Sequence, residues 1–214
     1  EPALLFDGRG GHDGAWACRL ALEPRLILEV RNRAADPSQV MKPIDAVVAR
    51  RRVAGGPGGT GVAVLCAYEA FAPRSRPSAN ACEILALEVD GAVAFPVGGP
   101  PVAAGRSGIV ERAALDLARR GPLAAAPAGP ALAAGPPRTS LGREAYLGAV
   151  SRVKAHIARG DVYQANLTQR FDAPFDADPW ALYRAIAKAS PAPRSAYVEV
   201  PGLALASASP EMFV

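Results

Sequence analysis

A chain of 214 residues is long enough for one large or two small domains, and at that size folding buries about 70% of the unfolded surface, so disulfide staples are unnecessary. Its 50% apolar, 21% charged and 6% aromatic residues exclude a wholly disordered chain and a coiled coil. The 24 basic and 20 acidic side chains leave +4, carried mostly by dispersed arginines. Lysine occurs only at Lys42, Lys154 and Lys188, and the one basic run is Arg50, Arg51 and Arg52. A nucleic-acid site wants a basic stripe with interleaved aromatics, so none is expected.

In chain order, Ala3 to Phe6 and Leu26 to Val30 are short apolar runs that read as strands, the second edged by Arg25 and Arg31. Ile44, Val47 and Val48 follow an i, i+3, i+4 spacing beyond Pro43, which predicts an amphipathic helix ending near Gly55-Gly56. Val62 to Tyr68 is apolar enough for a buried strand. Ile84 to Val89 and Ala92 to Val97 flank Asp90-Gly91, which predicts a hairpin through a type I′ turn. Residues 1–97 are therefore expected to form an amino-terminal α+β region. Residues 98–140, rich in Pro, Ala and Gly, read as a linker broken by one helix around Ile109 to Arg120.

Residues 141–214 carry the strongest pattern. Tyr146, Val150, Val153 and Ile157 fall at i, i+4, i+7 and i+11, one apolar stripe on a helix that stops at Gly160. Val162 to Phe171 then alternates as a strand does, with Tyr163, Ala165, Leu167 and Phe171 on one face and Gln164, Asn166, Thr168 and Arg170 on the other. Asp178-Pro179 reads as an N-cap with Pro in the first helical position, directing Leu182, Tyr183 and Ile186 inward. Ser195 to Val200 and Leu203 to Ser207 bracket Pro201-Gly202 as a hairpin, and Ser209-Pro210-Glu211 opens as a helix would.

The chemistry is narrowed first by exclusion. No P-loop, HExxH or GxSxG element is present, and the Gly-rich stretch around Gly55 to Gly59 lacks the strand, helix and Lys of a phosphate cradle. Cys18, Cys66 and Cys82 have no CxxC spacing, Cys66 and Cys82 sit in apolar runs that suit small core residues, and His12 and His156 lack nearby co-ligands, so no metal site is expected in this chain. That cysteine usage fits a reducing cytoplasm. No apolar run reaches the roughly 18 residues of a membrane-spanning helix, and no signal peptide opens the chain. A first residue other than Met, and an apolar segment running into Val214, read as a piece of a longer protein.

Two features remain. The row Gln164, Asn166, Thr168 places three uncharged hydrogen-bonding groups on one strand face, about 7 Å apart in succession; it could line a polar ligand or simply face solvent. Glu211 could serve as a general acid if burial raised its pKa, or could complement the dipole of a first helical turn.

The run from Ile157 to Phe171, Ile-Ala-Arg-Gly-Asp-Val-Tyr-Gln-Ala-Asn-Leu-Thr-Gln-Arg-Phe, resembles the signature of the chorismate-utilising enzymes. Pro191-Ala192-Pro193, Ser195-Ala196-Tyr197 and Ser209-Pro210-Glu211-Met212-Phe213 extend the resemblance, which is dense over residues 144–214. Over residues 1–97 it is thin, carried by Ala3-Leu4-Leu5-Phe6-Asp7 and Ala67-Tyr68-Glu69-Ala70. Within the family the chain is most similar to the amino-terminal half of component I of the aminodeoxychorismate (para-aminobenzoate) synthases, which take chorismate and ammonia to 4-amino-4-deoxychorismate for folate synthesis.

The resemblance implies an α+β fold of antiparallel sheets covered by helices. It implies that Glu211 is the general acid for the departing C4 hydroxyl, and that Gln164, with Asn166 and Thr168, lies at the substrate. Gln164 stands where the isochorismate and salicylate synthases carry a water-activating Lys; an amide cannot act as a base at neutral pH, which points to the aminating branch. It further implies Mg²⁺ held by residues beyond 214, a nucleophilic Lys also beyond 214, and a glutamine amidotransferase partner supplying ammonia. Asp7, Pro193 and Ser195 match a tryptophan-like pocket, with Arg194 in place of a usual aromatic and Ser190 in place of a usual Asn; plain packing suits the same positions. Anthranilate synthase component I is the alternative enzyme, and a non-catalytic binding module the alternative of another class.

Overall fold

The computed structural model describes residues 3–7, 16–31, 41–42, 44–49, 60–67, 82–96, 99–120 and 135–211. They fall into two compact units, Glu1–Pro127 with Pro179–Val214, and Ala128–Asp178. The expected Tyr68-Glu69 segment, the end of the first helix near Gly55-Gly56 and most of the stretch after Arg120 lie outside the described residues.

The larger unit holds two antiparallel sheets. In the first, β1 (Ala3–Asp7) lies between β2 (Trp16–Leu22) and β10 (Ser195–Val200), with β11 (Leu203–Ser207) beyond β10, and β6 (Gly91–Pro96) and β7 (Val102–Gly105) beyond β2. The second sheet places β5 (Cys82–Val89) between β3 (Arg25–Arg31) and β4 (Gly61–Cys66). Period-two alternation explains how β5 serves two layers at once. Leu85, Leu87 and Val89 meet Leu4 of β1 and Val198 and Val200 of β10 between the sheets. Ile84 and Ala86, on the opposite face, take Ile44, Met41 and Val48 from helical residues 41–42 and 44–49. α1 (Ser107–Arg120) packs on β6 and β7, and α3 (Pro179–Ala189) lays Tyr183 against Leu5 and Tyr197 on the outer face of the first sheet. The order is helix, sheet, sheet, helix, the α+β class expected from the sequence. Each fully buried Leu or Val contributes about 1.5–3 kcal/mol, so these apolar layers dominate the stability of the unit.

The carboxyl-terminal hairpin forms as its residues dictate: Pro201-Gly202 joins Val200 to its partner Leu203, and Gly202 supplies a φ of +79° at the second central position of a type II turn. Asp90-Gly91 does not make the expected hairpin. Neither residue has the positive φ a type I′ turn requires, and the strands on either side belong to different sheets. The dipeptide is a corner: Asp90 accepts a backbone hydrogen bond from Arg106 at 2.9 Å, and Gly91 pairs with Gly105 so closely that a Cβ on Gly105 would stand 2.4 Å from the Gly91 Cα. The expectation of a buried Cys66 also fails. It lies exposed at the end of β4, an edge strand of its sheet.

In the smaller unit, α2 (Arg143–Arg159) half-buries Tyr146, Val150 and Val153 of the expected stripe, while Ile157 is exposed and none of its residues is fully buried. β8 (Arg138–Thr139) pairs with β9 (Phe171–Asp172). The strand expected over Val162 to Phe171 is absent up to Arg170. Alternating side chains fix which faces a strand would show; they do not supply a neighbour for its ladder. Among the described residues the neighbour is only residues 138–140, which pair no further back than Arg170 through Ser140 N–H to Arg170 O (2.8 Å) and Arg170 N–H to Ser140 Oγ (2.9 Å). No helix among the described residues is long and apolar enough to cross a membrane.

Candidate functional site

The residues singled out from the sequence fall in both units, and each group is built locally. In the larger unit, three motifs meet at one end of β1, β10 and β11. The antiparallel register sets Asp7 opposite Ser195. Ser195 is buried; its Oγ donates to Ala192 O at 2.9 Å and its N–H to the same oxygen at 3.3 Å, closing the Pro191-Ala192-Pro193 turn. Pro193 is half-buried beside it, and Arg194 N–H donates to Ser209 O at 3.0 Å, tying this turn to the segment that leads to Glu211. Ser209 then organises its own turn: its Oγ donates to Glu211 O (2.9 Å) and accepts from Glu211 N–H (3.3 Å). Described structure ends at Glu211, so the expected helix start is seen only as this turn. The Glu211 side chain is exposed.

Beside these motifs lies an aromatic cluster that the sequence pattern does not announce. Trp180 stacks on Tyr183 with ring centroids 5.3 Å apart and meets Tyr197 edge-on at 5.1 Å. Tyr197 Oη donates to Glu199 Oε2 at 2.6 Å, a side-chain pair two residues apart on one strand face. The available signals were Trp180 one position after the helix-opening Pro179, and an aromatic alternating with an acid in β10.

In the smaller unit, Gln164, Asn166 and Thr168 are all exposed on the irregular segment between α2 and β9. Its near end is fixed by the close of α2. Gly160 adopts φ +78°, its N–H donates to Ile157 O and the Asp161 N–H to His156 O, each at 3.0 Å. Its far end is fixed at Ser140 and Arg170, and Gln169 Nε2 donates to Thr139 Oγ1 at 2.6 Å. Three uncharged groups with both donors and acceptors are thus presented to the outside, able to hydrogen-bond carboxylate and hydroxyl oxygens and unable to act as bases at neutral pH.

Other chemistries find less support. Although Cys66 is exposed on its edge strand, desolvation by the protein around its sulfur pushes the thiol up, away from the thiolate a nucleophile needs. Among the described residues no group of three or more His, Cys, Asp or Glu is placed to hold a metal ion. The described side chains do not make a Mg²⁺ site.

With that geometry established, comparison with known proteins gives the family. The sequence model for chorismate binding enzymes matches residues 107–214. Anthranilate synthase alpha subunit 1, chloroplastic, of Oryza sativa subsp. indica is 41% identical over 75 residues, 35% of this chain and 13% of that protein. The aminodeoxychorismate synthase of Streptomyces griseus is 36% identical over 88 residues, 41% of this chain and 12% of that protein. Anthranilate synthase component 1 1 of Haloarcula marismortui is 40% identical over 108 residues, 47% of this chain and 21% of that protein. The chain therefore spans only a small part of these relatives' length.

Proposed function

The chain belongs to the family of chorismate binding enzymes, and from that premise we propose that it is part of an aminodeoxychorismate synthase component I, exchanging the C4 hydroxyl of chorismate for an amino group to give 4-amino-4-deoxychorismate and water. The observation that carries the aminating branch is the amide at Gln164. A lysine there could deprotonate water for attack on the ring, whereas a carboxamide binds and orients only. Asn166 and Thr168, exposed on the same segment, would add hydrogen-bonding groups at the substrate.

Hydroxide is a poor leaving group, so a proton must reach the departing oxygen. In this reading Glu211 delivers it, on a segment whose direction is set by the Arg194 to Ser209 bond and the Ser209 turn. A neutral carboxyl at physiological pH requires desolvation. The wall that would desolvate the exposed Glu211 is assigned to family residues outside this chain, as are the ligands of Mg²⁺ and the nucleophilic Lys. Ammonia would come from a glutamine amidotransferase partner or from solution.

A second reading, anthranilate synthase component I, is favoured by the relatives of that name at 40–41% identity. The products separate the two, since anthranilate formation releases pyruvate without a second enzyme. Full-length protein supplied with chorismate, Mg²⁺ and ammonium should form aminodeoxychorismate and no pyruvate. Glu211→Gln should lower turnover by about 100-fold or more, the usual weight of a general acid, with an unchanged circular dichroism spectrum. Wild-type turnover in that variant would remove Glu211 from the mechanism; pyruvate release would move the assignment to anthranilate synthase.

A further inference from the structure

The close of α2 has an unusual side-chain arrangement. The pair of backbone bonds at Gly160 and Asp161 is a Schellman closure, in which the residue after the left-handed glycine commonly makes an apolar contact with the residue five places back. Here those two places are held by Asp161 and His156, and the contact is polar: His156 Nδ1 lies 2.9 Å from Asp161 Oδ2. Arg159 joins them, with Nε at 3.1 Å and Nη2 at 2.8 Å from the same oxygen. Arg159 Nη2 is also 3.0 Å from His156 Nδ1. A carboxylate oxygen only accepts, so we assign the proton to Nδ1 and let Oδ2 receive from both neighbours; Arg159 Nη2 and His156 Nδ1 are then two donors side by side on one acceptor, with no hydrogen bond between them.

Little else among the described residues fixes the chain that follows. Val162 is exposed and Tyr163 is 95% exposed, so neither anchors the backbone by packing. Among the described residues the next hydrogen bonds, Gln169 to Thr139 and Arg170 to Ser140, come after the whole polar row. Gln164 stands three residues past Asp161, a reach of at most about 10 Å. An isolated exposed ion pair adds little, but here three donor nitrogens from two side chains converge on one carboxylate oxygen, the networked case in which such contacts hold a geometry.

We propose that Asp161 is a positioning residue: by gathering His156 and Arg159 onto one carboxylate oxygen it sets the angle at which the segment leaves α2, and hence where Gln164 meets the substrate. The proposal rests on the reading of Gln164 as a substrate contact given above. Displacing a binding group by about 1 Å is enough to cost up to 100-fold in the rate of a bound reaction, and a group that binds substrate before the chemical step shows its displacement first in KM.

The test uses the full-length protein and three variants, Asp161→Ala, Asp161→Asn and Gln164→Ala. Asp161→Ala should raise KM for chorismate about five- to tenfold with kcat within about twofold, Asp161→Asn less because it keeps one acceptor oxygen, and the double variant Asp161→Ala/Gln164→Ala no more than Gln164→Ala alone. A purely structural role would lower apparent kcat through lost folded protein and leave KM unchanged; that result, or KM effects that add fully in the double variant, overturns the proposal. If the wild-type protein does not turn over chorismate, the functional reading fails separately, and amide exchange decides. Faster exchange at residues 162–164 in Asp161→Ala, with residues 146–153 unchanged, supports positioning, and equal exchange refutes it.

Discussion

Among single residues, Glu88 bears the greatest physical burden. It sits in the middle strand of the second sheet, 2% exposed, directly opposite Arg25 in the antiparallel register and ion-paired with it. A carboxylate taken out of water is costly unless charge-assisted hydrogen bonds replace its hydration. Arg25 remains two-thirds exposed, so the pair is anchored at one end and solvated at the other. Arg25→Ala should therefore destabilise the chain by about 1–3 kcal/mol, read as a lower urea midpoint at unchanged slope, because the buried carboxylate loses a charge-assisted hydrogen bond. A midpoint equal to wild type would show the pair to be dispensable. The sequence shows an acid within the apolar run Ile84 to Val89 and an Arg edging Leu26 to Val30; it does not show that these two meet, because they are 63 positions apart and only the sheet register joins them. The same limit applies to the candidate site. Gln164 and Glu211 were legible as residues because a motif surrounds each, whereas the bond from Arg194 to Ser209 and the His156–Arg159–Asp161 cluster depend on backbone geometry that no spacing states.

At the scale of elements, what was legible is what is decided locally. The helix α2 and its stop at Gly160, the Asp178-Pro179 opening of α3 and the Pro201-Gly202 hairpin all appear where their residues place them, since each depends on a few consecutive dihedrals. Asp90-Gly91 and the polar row after Gly160 departed from expectation for one shared reason: a turn or strand pattern is realised only if its neighbour strand is available, and here the neighbours belong to another sheet or stop at Arg170. Gly160 offers a test of the local part. Its φ of +78° is left-handed, and nothing lies within 4 Å of where a Cβ would be, so Gly160→Ala adds no clash and isolates the conformational cost. That cost is about 1–2 kcal/mol for an L-residue in this region, and it should appear as a loss of α2 protection in amide exchange. Unchanged protection of α2 would mean that the helix end does not need the left-handed residue.

At the scale of the whole molecule, the two units differ in how they are held. In the larger one the first strand of the chain is paired with β10, almost two hundred residues later, and the core lies between sheets whose strands interleave along the sequence. No window of sequence contains that arrangement, because β1 and β10 become neighbours only through long-range pairing. The smaller unit is built from one helix, a pair of two-residue strands and a few side-chain ties, with Tyr163 and Phe171 turned outward and no residue of α2 fully buried. Local opening is least costly where little apolar surface is lost with each hydrogen bond. Amides of β5, the central strand with apolar layers on both faces, should therefore be the slowest to exchange in the 214-residue chain, and those of α2 should exchange well before them even though α2 is the longer element. Mild denaturant should lower protection of α2 first, with β5 holding to the global transition. Equal protection of α2 and β5 at every denaturant concentration would show that both units unfold as one cooperative core, against the weaker apolar packing of the smaller one.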